Sequence, residues 1–294
     1  MSLDTEPVYF FQLKKEIELP EAVVFGGFSI SMYGICLVIA ALLGILLTVL
    51  EVRKKGHEPE DYLTVLCLVL LFGCIGGRVF YVLFHYSFFE DRFLWSLDLR
   101  TGGLSFYGAM FGAWISVKEY CRRKKADFST VVDALCSAAA WAAIPVWFGC
   151  VLQKEPFGRY YSGLLSMAVR TDFLFQHNAR LPMKGFEQNT IVSEGVSYTC
   201  MHPVALYGFV LSIIVAVILQ LLKRYVKQEG DLFSLYLFLT AVENLVLSLF
   251  LLDGGDFFGI RLPMITILSV LLIILIPLHL VFQGKQKPDF FKSK

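Results

Sequence analysis

Seven long apolar stretches, separated by short clusters of charged residues, dominate the pattern of this sequence. Most of them come close to the roughly 20 residues that an α-helix needs to cross a lipid bilayer. They lie at about 28–50, 62–86, 103–118, 128–152, 203–222, 231–252 and 262–283. A polar connection at about 154–201 follows the fourth stretch. The pattern predicts an all-α membrane protein, a single polytopic domain over residues 1–294 with seven transmembrane helices and an external cap loop.

Composition agrees with a membrane protein. The chain of 294 residues is 56% hydrophobic and 17% charged, with a mean hydropathy of +0.64, whereas about a quarter of the residues of soluble domains are charged. The net charge of +1 gives no indication of nucleic-acid binding. Short basic blocks follow the first, third, fifth and seventh stretches, as is typical of cytoplasmic loops. The sequence therefore predicts an external N-terminus, with residues 1–27 on the membrane surface, and a cytoplasmic C-terminus.

The cysteines give no sign of a disulfide framework or a metal site. There are seven of them, an odd number, with no CxxC pair, and five lie within apolar stretches. Cysteines of this kind usually behave as small buried hydrophobic residues. The sequence predicts neither a metal nor a cofactor.

A glycine pair followed by an arginine, Gly76-Gly77-Arg78, lies inside the second apolar stretch. A cation within the membrane is costly, so it needs a partner or a water-filled cavity. One interpretation is an arginine that extends to the lipid headgroups; the other is a phosphate clamp, because a guanidinium matches phosphate oxygens. The glycines favour the clamp, since they allow a backbone or a ligand to approach closely. A mid-membrane carboxylate, Glu243, is a candidate partner for Arg78.

Other polar residues near the predicted membrane boundaries have two interpretations each. Tyr107 is either a site residue or an interfacial tyrosine. His202, which precedes a proline, is either functional or part of helix-start geometry. The stretch from Glu155 to Arg159 is either part of a site or the solvated start of the loop.

Several motifs together resemble the prolipoprotein diacylglyceryl transferase family. The second and third stretches read GGRVFYVLF and GGLSFYGAMFG, and the remaining motifs are Tyr33-Gly34, His202-Pro203, Leu206-Tyr207 and Leu262-Pro263-Met264. The resemblance implies a multi-pass protein of the bacterial cytoplasmic (inner) membrane. It also implies a reaction in which the lipobox cysteine of a prolipoprotein signal peptide attacks phosphatidylglycerol and glycerol 1-phosphate leaves. The expected partners are these two substrates and the bilayer, without nucleic acid.

The same resemblance assigns the candidate site residues. The expected catalytic residues are Tyr33, Tyr107, Glu155 and Arg159. The residues expected to bind phosphatidylglycerol are Arg78, Gly76, Gly77, Gly103, Gly108, His202 and Tyr207.

The sequence departs from the family pattern GRxGNFxNxExxG at residues 146–158, where Trp147 replaces the arginine and Cys150 the asparagine. Tyr107 stands where a histidine is common, and Gly208 replaces the glutamate after Leu-Tyr. These losses raise an alternative function, a catalytically degraded relative that binds phospholipid or a lipoprotein without turnover. Cations of the external side are candidates to replace the lost arginines: Arg159, Lys154, Arg170 and Arg261. A transporter is a weaker hypothesis, because no internal repeat is visible.

Overall fold

The computed structural model describes residues 2–10, 15–25, 28–54, 56, 58–86, 103–177, 185–193, 195–226, 228–252, 256–257, 260–261 and 264–282. The chain forms two compact units. Unit 1 comprises Met1–Ala40, Ala143–Ser212 and Leu249–Asp253. Unit 2 comprises Ala41–Ala142, Ile213–Ser248 and Gly254–Lys294.

Each predicted apolar stretch overlaps an α-helix of the described chain, although residues 28–31 of the first stretch form a strand instead. The helices are α1 (Met32–Lys54), α2 (Pro59–Phe84), α3 (Phe106–Lys124), α4 (Phe128–Gln153), α5 (Thr171–His177), α6 (Val204–Leu222), α7 (Asp231–Phe250) and α8 (Met264–Phe282). The short α5 lies within the predicted cap loop. Five of these helices, α1, α2, α4, α6 and α7, are long and apolar enough to cross a bilayer, while α8 contributes a shorter apolar helix. The chain is therefore a multi-pass, mainly helical membrane protein.

An antiparallel sheet in unit 1 was not predicted from the sequence. Its strands are β1 (Ser2–Phe10), β2 (Lys15–Phe25), β3 (Phe28–Ser31), β4 (Met167–Arg170), β5 (Thr190–Ser193) and β6 (Val196–Met201), in the order β3-β2-β1-β4-β6-β5. The N-terminal strands join the predicted cap through the pairing of Tyr9 with Ala168. A second, two-stranded sheet consists of β7 (Asp256–Phe257) and β8 (Ile260–Arg261).

Each unit has its own apolar core. In unit 1 the core lies among β4, β6, α5 and the segment that follows α4, and it contains Phe157, Met167, Val169, Leu174 and Met201. In unit 2 it lies among α1, α2, α3 and α4, and it contains Val52, Tyr62, Val65, Val117, Tyr120, Cys121, Val131, Val132 and Ala134. These cores fix the ends of the helices that carry the candidate site residues.

A buried carboxylate in unit 2 joins two helices. Asp133 of α4 accepts a hydrogen bond from the Gly230 backbone N–H at 2.7 Å and another from the Phe233 N–H at 2.8 Å. The first backbone N–H groups of a helix have no partner within the helix. Asp133 therefore caps the start of α7 from a neighbouring helix.

Glycines hold α2 and α3 together in unit 2. A Cβ atom added to Gly76 would overlap the carbonyl oxygen of Gly108, and one added to Gly112 would overlap the carbonyl oxygen of Phe72. Small residues of this kind allow two membrane helices to pack backbone against backbone. Helix packing thus accounts for these glycines, and they no longer favour a phosphate clamp over other roles of the neighbouring arginine.

Candidate functional site

Arg78 is buried in unit 2, with 7% of its surface exposed. Its Nη1 donates a hydrogen bond to the carbonyl oxygen of Gly103 at 3.1 Å, and its guanidinium carbon lies 5.8 Å from the ring centroid of Tyr81. Gly103 has a φ of +79°, and a Cβ there would overlap the Tyr81 ring. The side chain is therefore held inward by the start of the third predicted span and does not extend into solvent.

The suggested pairing of Arg78 with Glu243 is not observed. Within the described part of the chain, no hydrogen bond or ion pair joins these two side chains, and Oε1 of Glu243 is buried without a hydrogen-bond partner there. The reason is that Arg78 is directed to the Gly103 carbonyl. The expectation that Glu243 is its partner was therefore wrong.

Tyr107 is a buried residue of α3, with 5% of its surface exposed. Its hydroxyl lies 2.5 Å from Oγ of Ser269 on α8, and the Ser269 hydroxyl donates to the carbonyl oxygen of Ile265 at 2.6 Å. Since the serine proton is engaged in this way, Tyr107 is the donor to Ser269. The contact links α3 to α8, and the interpretation of Tyr107 as a catalytic residue stays a prediction.

Tyr33 in unit 1 lies near a second predicted catalytic residue, Glu155, and near Cys150. Gly149 lets α4 approach α1 closely, because a Cβ on it would lie 2.9 Å from Cβ of Cys36 and 3.1 Å from Cδ2 of Tyr33. The Tyr33 phenol is close enough to Cys150 and Glu155 to interact with both electrostatically. The structure thus brings together two predicted catalytic residues and the cysteine that replaces the family's asparagine.

Lys154 forms an ion pair with a residue on another element of unit 1. It has a left-handed backbone, with a φ of +60°, and only 1% of its side chain is exposed. Its Nζ lies 2.6 Å from Oε1 of Glu21 on β2 and 5.1 Å from the ring centroid of Phe173. The Glu21 carboxylate therefore neutralises this cation, and Lys154 is not a replacement for a lost arginine.

Replacing Lys154 with methionine is expected to destabilise the protein, because the Glu21 charge is left without its partner. Removing one member of a buried pair typically costs about 3–5 kcal/mol, whereas replacing both costs much less. The thermal midpoint of the purified protein should fall for Lys154→Met and recover in the double variant with Glu21→Leu. Equal midpoints for the single and double variants would show that the pair is not coupled.

Arg159 lies in the turn that follows α4, where it is exposed. Its backbone N–H donates to the carbonyl oxygen of Phe250 at 2.7 Å, and its Nε donates to that of Leu251 at 3.2 Å. Its own carbonyl accepts from the His202 N–H at 3.0 Å, and a Cβ on Gly158 would overlap the His202 carbonyl. The turn is therefore fixed against both the end of α7 and the start of α6.

His202 is held by aromatic rings beside Arg159. It stacks on Tyr161 with ring centroids 4.1 Å apart, and its Nδ1 lies 3.3 Å from the hydroxyl of Tyr207. Phe250 contacts it edge to face at 5.0 Å. Burial, and secondly the charge of Arg159, lower the pKa of His202. The lowered pKa favours the neutral imidazole, the form that can accept a proton.

Two departures from the family pattern contact one another. A Cβ on Gly208 would overlap the indole ring of Trp147. The ring therefore lies directly over the residue that lacks a side chain. The two departures thus pack against one another, which the sequence alone did not reveal because α4 and α6 are distant in sequence.

The effect of a larger residue at position 208 on the thermal midpoint should therefore depend on residue 147. Gly208→Glu alone is expected to lower the thermal midpoint strongly, because the new side chain collides with the Trp147 ring. Combining it with Trp147→Arg should recover most of the loss, a coupling of about 0.5–3 kcal/mol in a double-mutant cycle. Additive effects of the two substitutions would contradict the contact.

The predicted site residues thus fall into two sets. Gly76, Gly77 and Gly108 lie at the α2–α3 contact in unit 2, the Gly103 carbonyl accepts a hydrogen bond from the Arg78 side chain, and Tyr107 is the second residue of α3. Tyr33, Glu155, Arg159, His202 and Tyr207 belong to unit 1. Arg170 lies 3.8 Å from Asp172, and the side chain of Arg261 is outside the described residues.

A family model described as "Prolipoprotein diacylglyceryl transferase" matches residues 20–282. The chain belongs to this family. The match begins in β2, ends at the last residue of α8, and contains every residue of the predicted site.

Curated relatives align with the chain over most of their length. The chain is 26% identical over 274 residues to "Phosphatidylglycerol--prolipoprotein diacylglyceryl transferase 1" of Clostridium perfringens, covering 91% of this chain and 97% of the relative. It is 25% identical over 269 residues to the similarly named transferase of Clostridium botulinum, covering 91% and 99%. It is 28% identical over 220 residues to that of Ligilactobacillus salivarius, covering 74% and 76%. These names favour a transferase over a degraded relative.

Proposed function

We propose that the chain transfers diacylglycerol from phosphatidylglycerol to the lipobox cysteine of prolipoproteins and releases glycerol 1-phosphate. The observation that carries the proposal is the match of the family model to residues 20–282. Relatives that are named for this activity also align with the chain over nearly their whole length. A catalytically degraded relative is not favoured by this match.

The proposed setting is the bacterial cytoplasmic membrane. The chain crosses it seven times, with the N-terminus and the cap at about 154–201 on the external side and the C-terminus in the cytoplasm. Five helices that meet the length and hydropathy of a span, together with α3 and α8, support this topology. So does the position of the short basic loops, which the positive-inside rule places in the cytoplasm.

In the proposed reaction the acceptor sulfur attacks a glycerol carbon of phosphatidylglycerol. A carbon–sulfur bond forms, the carbon–oxygen bond to phosphate breaks, and the phosphate oxygen keeps the bonding electrons. The thiolate is the reactive form of cysteine, so its proton has to leave first. The site therefore needs a proton acceptor and a cation beside the leaving phosphate.

Each of the two units, taken by itself, contains groups of these kinds. Arg78 is a buried guanidinium, the group best matched to phosphate oxygens. Arg159 offers a second guanidinium, and the backbone of this residue is held by hydrogen bonds. Glu155 and Tyr33 lie together and orient the substrates, and the neutral imidazole of His202 is a group able to accept a proton.

Complementation of a bacterium depleted of its own diacylglyceryl transferase tests the proposal. The chain should restore growth and lipid-modified lipoproteins, detected by labelling with a palmitate analogue. Glu155→Gln, produced at the same level in the membrane, should not. Failure of the unmodified chain to restore labelling, despite normal membrane insertion, would contradict the proposed function.

A further inference from the structure

Within the part of the chain that the structure describes, β3 forms one edge of the six-stranded sheet, since it pairs there with β2 alone. Ser29, Ile30 and Ser31 are exposed, and 53% of the Ile30 surface is accessible. An edge strand presents a row of backbone N–H and C=O groups on which another extended chain can pair. The sequence of β3, Phe-Ser-Ile-Ser, contains neither a charge nor a proline. Charged residues and prolines are the residues with which proteins usually block such pairing.

The edge leads directly into the helix that carries Tyr33. β3 ends at Ser31, α1 begins at Met32, and Oγ of Ser31 accepts a hydrogen bond from the Gly34 N–H at 3.1 Å. This cap fixes the direction in which the strand enters the helix. Since α1 follows β3 directly, a chain added to β3 at the usual strand spacing of about 4.8 Å would lie close to the first turn of α1.

Tyr33 lies in that first turn. It contacts α4 at Gly149 and interacts electrostatically with Cys150 and Glu155. An extended peptide on the edge is thus brought next to residues of the predicted site. The opposite edge differs, because β5 runs from the short 3-10 helix Glu187–Asn189 into its pairing with β6. Of the two edges of this sheet in the described residues, the β3 edge is the one that continues into a helix with a predicted catalytic residue.

We propose that β3 holds the segment around the acceptor cysteine as an added β-strand. The inference rests on the proposed function, since it describes how the polypeptide substrate of that reaction is bound. In this mode of recognition, main-chain hydrogen bonds provide affinity whatever the side chains are. That suits an enzyme whose acceptors are different proteins that each present one cysteine.

The first test scans the backbone of a synthetic acceptor peptide. The full-length protein, in nanodiscs that contain phosphatidylglycerol, is given peptides in which each N–H around the cysteine is replaced in turn by N–CH3. Alternate residues of a strand direct their N–H groups to the same side. KM should therefore rise about three- to tenfold at every second position, the loss of one hydrogen bond, with little change in kcat.

A KM profile without this alternation overturns the inference, provided that the unmodified peptide is converted. Absence of product from the unmodified peptide contradicts the proposed function, and this inference with it. The two failures are therefore distinguishable.

The second test removes an N–H from the protein. Hydrogen bonding alternates along β3, so one of Ser29 and Ile30 directs its N–H to β2 and the other to the free edge. Of the variants Ser29→Pro and Ile30→Pro, the one that keeps the thermal midpoint should raise KM for the peptide about three- to tenfold. The matched controls are Ile191→Pro and Val192→Pro on β5, where the tolerated proline should leave KM unchanged. An unchanged KM for the folded β3 variant overturns the inference.

Discussion

Replacing Arg78 with alanine is expected to lower kcat/KM for phosphatidylglycerol by about 10²–10³-fold. This is the typical loss when one donor that stabilises developing negative charge is removed from a site. The guanidinium is buried and is oriented by the Gly103 carbonyl, so water does not screen its charge as it does at a surface. Steady-state kinetics on vesicles of defined phosphatidylglycerol content measures the effect.

Controls separate this role from a structural one. Val79→Ala changes the next residue of α2, whose side chain is 57% exposed, and should leave kcat/KM unchanged. Arg78→Lys keeps the charge without the planar fork and should fall between the wild type and Arg78→Ala. If Arg78→Ala keeps its thermal midpoint and loses less than twofold in kcat/KM, Arg78 does not bind the phosphate.

Replacing Gly112 with alanine is expected to prevent normal packing of α2 against α3. The new Cβ would overlap the carbonyl oxygen of Phe72, and a backbone atom has no rotamer by which to move away. Overpacking usually costs about 1–3 kcal/mol, and contact with a rigid backbone places this substitution at the upper end. The yield of monodisperse protein in detergent and its thermal midpoint should both fall sharply.

The matched control is Gly44→Ala on α1. There the added Cβ would lie 3.6 Å from Cβ of Ala142, an ordinary van der Waals distance. Alanine is favoured over glycine within a helix by about 1 kcal/mol, so the midpoint should be unchanged or higher. Equal behaviour of the two variants would contradict the glycine contact between α2 and α3.

The helices were predictable because their signal is local. Each apolar stretch contains the information for one helix, and all seven predicted stretches overlap helices of the structure. The sheet was not predictable in this way, because its central pairing joins Tyr9 to Ala168 across most of the chain. Its strands also lack a clean alternation: β2, for example, reads Lys-Glu-Ile-Glu-Leu-Pro-Glu-Ala-Val-Val-Phe.

For the candidate site, too, properties set by neighbouring residues were predictable, whereas contacts between distant parts of the chain were not. The sequence indicated that Arg78 is held within the protein, and burial of its side chain agrees. It could not show that Lys154 is neutralised by Glu21, or that Trp147 covers Gly208, since each contact joins distant elements. Gly76, Gly77 and Gly108 were predicted to bind a ligand because a glycine in the sequence indicates a close approach without showing whether a helix or a ligand approaches.

The most direct measurement of the central claim is turnover of both substrates by the purified chain. The protein, phosphatidylglycerol and a lipobox peptide are combined, and the peptide is analysed by mass spectrometry. The account predicts a peptide that carries diacylglycerol in thioether linkage to its cysteine, with glycerol phosphate released in equal amount. Folded protein that binds phosphatidylglycerol yet yields neither product would contradict it.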